Sequence, residues 1–126
     1  MKKSIATLSA TALLAAPAAV ALTAAPAHAD VERRGACGSG TYELSVDREG
    51  RGHEVNVDLD NLRAGSTWRV KVWQDGKRVA NVVRTAERDG DLDLERYRPD
   101  TAGTDTFRFT AKRVGASTRC GASVTV

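Results

Sequence analysis

The sequence has few of the residues from which catalytic and metal centres are usually built. It contains two cysteines and two histidines, and His28 lies in the N-terminal apolar segment. The other histidine, His53, follows a turn and is predicted to face solvent at the start of a strand. There is no Cys-x-x-Cys pair, and no serine stands in a nucleophile elbow. We therefore predict no catalytic residue, no metal and no cofactor.

Long apolar runs are absent after the first 29 residues. Two lysines, Lys2 and Lys3, stand near the start of this segment, and an Ala/Leu/Val-rich stretch follows over 5–25. The segment ends in Ala27-His28-Ala29, which fits the small-x-small pattern of a cleavage site. Polar residues and a proline interrupt the stretch, so it is a poor membrane span. We predict a signal peptide over 1–29, cleaved before Asp30, and a secreted, extracellular protein with neither a membrane span nor a lipid anchor.

The exported chain also lacks a large excess of positive or negative charge. The whole sequence has 19 Lys and Arg against 16 Asp and Glu, and removal of Lys2 and Lys3 leaves 17 against 16. Charges of both signs are interleaved along every segment, which is typical of an ordinary solvated surface. This pattern predicts no clustered basic face and therefore no nucleic-acid partner.

The two cysteines, Cys37 and Cys120, stand near opposite ends of the exported chain. In an exported protein such a pair is usually oxidised, and closing so long a loop removes unfolded-state entropy worth roughly 4 kcal/mol. The alternative is a reactive or metal-binding thiol pair, for which the sequence offers no second group of ligands. We predict a Cys37–Cys120 disulfide.

Apolar residues recur with a period of two nearly everywhere after residue 40, and no helical period is present. The alternation is clearest around Leu44, Val57 and Phe109, and turn sequences such as Asp75-Gly76 separate the runs. The pattern predicts an all-β, immunoglobulin-like two-sheet sandwich of about seven strands with one disulfide. We expect the domain to occupy 41–126, with residues 30–40 as a flexible lead-in.

Several turn and core motifs resemble those of small secreted actinobacterial proteins of unknown function with an immunoglobulin- or fibronectin-like sandwich. The motifs are Cys37 ahead of the first run, Asp60-Asn61 followed by Gly65, Trp68-Arg69-Val70, and the segment AGTDTF at 102–107 before Cys120. The resemblance implies the same fold and a secreted protein. It implies no catalytic residue.

An acidic run places four carboxylates two residues apart, those of Asp89, Asp91, Asp93 and Glu95. On a single strand all four would share one face. We predict that this is a polar sheet face on which nearby arginines offset the negative charge, namely Arg84, Arg88, Arg96 and Arg98. The alternative is a metal site for Ca²⁺, although an extended strand does not wrap an ion as a calcium-binding loop does.

Trp73 is the most informative candidate for binding. If Trp68 and its alternating neighbours fill the core, strand parity places Trp73 on the outer face with Arg69 and Lys71. An outward tryptophan among cations either stacks under a guanidinium in a structural role or anchors a partner or a sugar ring. We predict that Trp73, Arg69 and Lys71 form the interaction surface.

These observations together predict a monomeric, non-catalytic binding module with an unknown extracellular protein or glycan as partner. The alternative is a small-ligand or metal-ion carrier on the same scaffold, with Trp73 or the acidic run as its site.

Export provides the first test. Protein recovered from the culture medium of an expressing cell should begin at Asp30 when its N-terminus is determined by mass spectrometry. Full-length chain that stays in the cytosol would contradict the assignment of residues 1–29 as a signal.

Overall fold

The computed structural model describes residues 30–126, and the predicted signal segment lies outside them. This part of the chain folds into two antiparallel sheets of four strands each, which confirms the all-β sandwich. No helix within it is long and apolar enough to cross a membrane. The strands are β1 (Val31–Cys37), β2 (Gly40–Glu49), β3 (Gly52–Asp60), β4 (Thr67–Gln74), β5 (Lys77–Thr85), β6 (Leu92–Pro99), β7 (Thr106–Arg113) and β8 (Arg119–Thr125).

The strand order is immunoglobulin-like. One sheet has the order β1-β2-β3-β6 and the other β5-β4-β7-β8. Strands β2 to β8 therefore follow the connectivity A-B-C-C′-E-F-G, in which B pairs with E and C pairs with F. The chain passes from one sheet to the other between β3 and β4, between β5 and β6, and between β6 and β7. Strand β1 is an addition at the edge, which gives eight strands rather than about seven.

The flexible lead-in predicted for residues 30–40 is wrong. Residues Val31–Cys37 form strand β1, which pairs antiparallel with β2 from Val31 opposite Val46 to Cys37 opposite Gly40. The segment lacks an alternating pattern because β1 is an edge strand, and most of its side chains are exposed. The backbone pairing that holds it leaves no signature in side-chain polarity.

The core lies between the inner faces of the two sheets. Trp68, Val70 and Val72 point inward, as their spacing predicts. The indole Nε1 of Trp68 donates a hydrogen bond of 2.9 Å to Ser66 Oγ, so its one polar atom is satisfied although it is buried. The other large contributions come from Leu44, Val46, Val55, Val57, Leu59, Leu92 and Leu94 of one sheet and from Phe107, Phe109 and Val124 of its partner.

The disulfide between Cys37 and Cys120 confirms the predicted pairing. Cys37 ends the edge strand β1 of one sheet, and Cys120 is the second residue of β8, the edge strand of the other sheet. The bridge therefore ties the two sheets together at one open side of the sandwich. In antibody domains the corresponding bridge joins the B and F strands across the core.

Reduction of this disulfide should lower the melting temperature strongly, because the reduced unfolded chain regains the entropy that the bridge removed, worth roughly 4 kcal/mol. A thermal melt with and without reductant measures the effect. Intact-mass analysis should show the native protein two hydrogens lighter than the reduced form. Two thiols that alkylate freely in the native protein would contradict the pairing.

Candidate functional site

The outer face of the β5-β4-β7-β8 sheet carries a cluster of cations around Trp73. Alternate residues of each strand point away from the core, and the strand register arranges them in three rows. The rows are Val83, Arg69, Lys112 and Arg119; then Asn81, Lys71, Thr110 and Gly121; then Arg78, Trp73, Arg108 and Ser123. We call this surface the basic face, defined by Trp73 and by Arg69, Lys71, Arg78, Arg108, Lys112 and Arg119.

No carboxylate lies in these rows, and Asp75 is the one acidic residue in the segments 67–85 and 106–125 that form the sheet. The ion pairs found within residues 30–126 involve only Arg34, Arg48 and His53 among the basic side chains. Like charges opposite one another on a sheet are unfavourable. The basic face therefore has a positive potential that nothing in the described chain neutralises, and an anion would relieve it.

The side chain of Trp73 is half-buried on this face, with the Arg108 guanidinium carbon 4.1 Å from the ring centroid. This is the cation–π contact that the sequence allowed for. A β-bulge between Val72 and Trp73 breaks the register with β5 just before the Asp75-Gly76 turn. Both turn residues have positive φ, of 50° and 81°, as a tight two-residue hairpin requires.

A depression of about 440 Å³ lies on the basic face, lined by Arg69, Lys71, Lys112 and Arg119 together with Thr110 and Gly121, and Trp73 stands in the next row, outside it. Gly121 is needed there, because a Cβ at this position would lie 2.7 Å from the carbonyl oxygen of Phe109. The missing side chain leaves a gap between the cations. The depression is of the size that small-molecule sites have, although it is open rather than enclosed.

The outer face of the opposite sheet is acidic. Its outward residues on β1, β2, β3 and β6 include nine carboxylates and one arginine, Arg34, which pairs with Glu32 and Glu43. We call it the acidic face; its carboxylates are Glu32, Glu43, Asp47, Glu49, Glu54, Asp58, Asp60, Asp93 and Glu95. The expectation of an evenly mixed surface without a basic cluster is therefore wrong. Charges of both signs recur along the chain because it passes between the two sheets three times, and folding gathers the acidic and basic segments on opposite faces.

Crowding of carboxylates on the acidic face raises the pKa of two of its members, Asp58 and Glu95. Burial raises the pKa of Asp58, and so does repulsion from three nearby carboxylates, those of Asp60, Glu43 and Asp93. A hydrogen bond with Glu54, followed by repulsion from it, raises the pKa of Glu95. The ionised forms of these two groups are therefore disfavoured in the folded state.

The acidic run at 89–95 is divided between a turn and a strand. Asp89 and Asp91 precede β6, and the backbone N–H of Asp91 donates to Asp89 Oδ1 at 3.0 Å. Only Asp93 and Glu95 lie on the outer face of β6. The prediction that all four carboxylates share one face of a strand is therefore wrong, because the strand begins at Leu92 and excludes Asp89 and Asp91. The predicted offset by arginines is also absent: within residues 30–126, none of Arg84, Arg88, Arg96 and Arg98 pairs with a carboxylate.

His53 is buried, so the prediction that it faces solvent is wrong. It alternates in step with the core residues Val55, Val57 and Leu59 of β3, so its side chain points inward. Its ring packs edge-on against Phe107, with the ring centroids 5.5 Å apart. Its Nε2 atom lies 3.2 Å from Asp105 Oδ2 and 3.3 Å from Asp100 Oδ1. Sequence reasoning missed both aspartates, since they belong to the β6–β7 loop and only the fold brings them to β3.

Asp105 is fully buried at this end of the sandwich. Burial alone would raise its pKa, but hydrogen bonds with Thr101, Asp100 and Gln74 hold the pKa of this carboxyl well below its usual range. Gln74 also accepts a hydrogen bond of 3.0 Å from Arg98 Nε. The network fixes the β6–β7 loop to both sheets.

Arg69, Lys71 and Trp73 lie together on the basic face, as predicted. The structure adds four cations that sequence reasoning did not single out, namely Arg78, Arg108, Lys112 and Arg119. The alternation of Arg108 and Lys112 with the core residues of β7 was a usable signal for their outward orientation. Comparison with protein-family models, curated proteins and solved structures gave no match for this chain. The geometry of the described residues is therefore the basis for a function.

The acidic face predicts a stability that rises on mild acidification. Groups with a raised folded-state pKa bind protons more readily in the folded than in the unfolded state, so stability falls as pH increases through that range. Glu95→Gln should raise the melting temperature at pH 7 and have little effect near pH 4, where the carboxylates become protonated.

The matched control is Glu87→Gln, which removes an exposed glutamate in the β5–β6 loop, outside the acidic face. Comparison of the two variants isolates the contribution of the face from that of other titrating groups. Equal melting profiles for both variants from pH 4 to pH 8 would show that the face is not under electrostatic strain.

Proposed function

We propose that this protein is a secreted, non-catalytic binding module and that the basic face is its binding surface. The observation that carries the proposal is the separation of charge: six cations and a half-buried tryptophan share one face with no carboxylate among them, while the opposite face is acidic. Cations held close together by strand register cost stability. A ligand that neutralises them recovers that cost.

The ligand that this surface suits best is an acidic polysaccharide. Outward residues on one strand are about 7 Å apart and those on neighbouring strands about 5 Å apart, so the outward positions form a regular grid on which the six cations stand. A polymer with repeated sulfate, carboxylate or phosphate groups can contact several of them at once. Trp73 adds an aromatic surface on which a sugar ring can stack, and the depression beside Gly121 accepts a substituent.

The acidic face supports the same proposal through long-range electrostatics. It repels a polyanion, while the basic face attracts it, so the ligand is steered toward one side of the domain. A protein with an unpolarised surface and the same near-zero net charge would have no such preference.

Secretion is part of the proposal and is supported by three features. The N-terminal 29 residues have the pattern of a signal peptide, the chain forms a disulfide, and the motifs resemble those of small secreted actinobacterial proteins. Outside the cell, acidic polysaccharides are accessible to a module of this kind.

Charge reversal on the basic face tests the proposal. Lys71→Glu combined with Lys112→Glu should abolish retention on an immobilised sulfated polysaccharide such as heparin, because it replaces two attractive contacts with two repulsive ones. Wild-type affinity should fall steeply with salt concentration, as expected when counterions are released. Trp73→Ala should weaken binding, with a loss of about 2 kcal/mol if the ring is an anchor, and leave the salt dependence unchanged.

The control is Arg63→Glu combined with Arg88→Glu, which makes the same change in net charge on exposed loop residues outside the face. It should keep most of the wild-type retention. If the control loses as much binding as the test variant, net charge rather than the basic face is responsible and the proposal is wrong. Equally tight binding to single-stranded DNA of the same charge density would show that polysaccharide is not the preferred ligand.

A further inference from the structure

Three atoms of ligand type converge at the end of the sandwich that the β6–β7 loop covers. They are Nε2 of His53 on β3, Oδ1 of Asp100 just after β6, and Oδ2 of Asp105 just before β7. All three lie within 4.8 Å of one another. This cluster belongs to the sandwich interior and does not involve the basic face, so an inference about it is independent of the proposed function.

The distances fit a shared cation better than a pair of strong hydrogen bonds. Charge-assisted N–H···O contacts are usually about 2.7–2.9 Å long, whereas His53 Nε2 lies 3.2 and 3.3 Å from the two carboxylate oxygens. Ligand atoms about 2.0–2.1 Å from a tetrahedral zinc ion are about 3.3 Å apart. One ring nitrogen carries at most one proton, which two carboxylates must share.

The remaining oxygen of each carboxylate is held by another group. Arg48 Nη1 lies 3.2 Å from Asp100 Oδ2, and Gln74 Nε2 donates to Asp105 Oδ1 at 3.3 Å. Thr101 Oγ1 also donates to Asp105 Oδ1. Each aspartate is therefore fixed with one oxygen turned toward His53, which is how outer partners orient the ligands of a metal site.

Access to the cluster is from one side. The side chains of His53 and Asp105 are 7% and 1% exposed, while that of Asp100 is 35% exposed. An ion can therefore enter past Asp100 and keep a water molecule as a fourth ligand. One imidazole nitrogen with two carboxylate oxygens is a donor set that suits Zn²⁺ and is poor for Ca²⁺, which prefers six to eight oxygens.

We propose that His53, Asp100 and Asp105 form a binding site for one Zn²⁺ ion, with the fourth coordination position open to solvent. His53 provides Nε2 as a neutral imidazole ligand, and the two aspartates provide one carboxylate oxygen each. The ion links β3 to both ends of the β6–β7 loop. Binding should therefore stabilise the fold in proportion to the free zinc concentration.

The test uses the disulfide-bonded chain 30–126, freed of metal by chelation. Isothermal titration with ZnCl₂ should give one site per chain, and zinc should raise the melting temperature by several degrees, reversibly with EDTA. CaCl₂ at the same concentration should produce no shift. Asp100→Asn keeps a similar side-chain volume at a partly exposed position, so it should fold, and it should bind zinc at least tenfold more weakly.

Asp93→Asn is the matched control, because it removes one carboxylate from the acidic face and leaves the cluster intact. It should bind zinc as the wild type does. Zinc affinity that is unchanged in Asp100→Asn, or reduced equally in Asp93→Asn, would overturn the site. A wild-type protein that shows neither titration heat nor a thermal shift with zinc would identify the cluster as a hydrogen-bond network alone.

Discussion

Every strand of this domain places alternate side chains between the two sheets, and the burial of that set determines where all the other side chains go. Phe107 and Phe109 on β7 and Leu44 and Val57 of the opposite sheet are all buried in one hydrophobic cluster. Burial of large apolar side chains is the dominant favourable term in folding. Once it fixes the parity of each strand, the intervening charged residues have only the two outer faces available to them.

The connectivity then separates the charges. Strands β2, β3 and β6 carry mostly acids outward, and β4, β7 and β8 carry bases, but the chain crosses between sheets three times along its length. Acidic and basic segments consequently alternate in sequence and segregate in space. The near-zero net charge therefore conceals a polarised molecule with one basic and one acidic face. This polarity costs stability on both faces, which is the trade-off expected if one of them binds a ligand as proposed.

The two ends of the sandwich are fastened in different ways. Cys37 and Cys120 join the edge strands of the two sheets covalently. The β6–β7 loop is held by the buried polar group around Asp105, where His53 contributes from β3 and Gln74 from β4. Such a network is stable only when each buried polar atom has a partner, and every one of these atoms does within the described chain.

The sequence by itself determined the all-β class, the inward orientation of Trp68, Val70 and Val72, and the outward position of Trp73, because each follows from local periodicity. It also determined the disulfide pairing, because the chain has only two cysteines to join. It could not reveal β1, which is held by backbone pairing. Only the tertiary structure decided which charged strands share a sheet and that Asp100 and Asp105 meet His53. Those relations join residues about 50 positions apart in the chain, and side-chain pattern within a single segment carries no record of them.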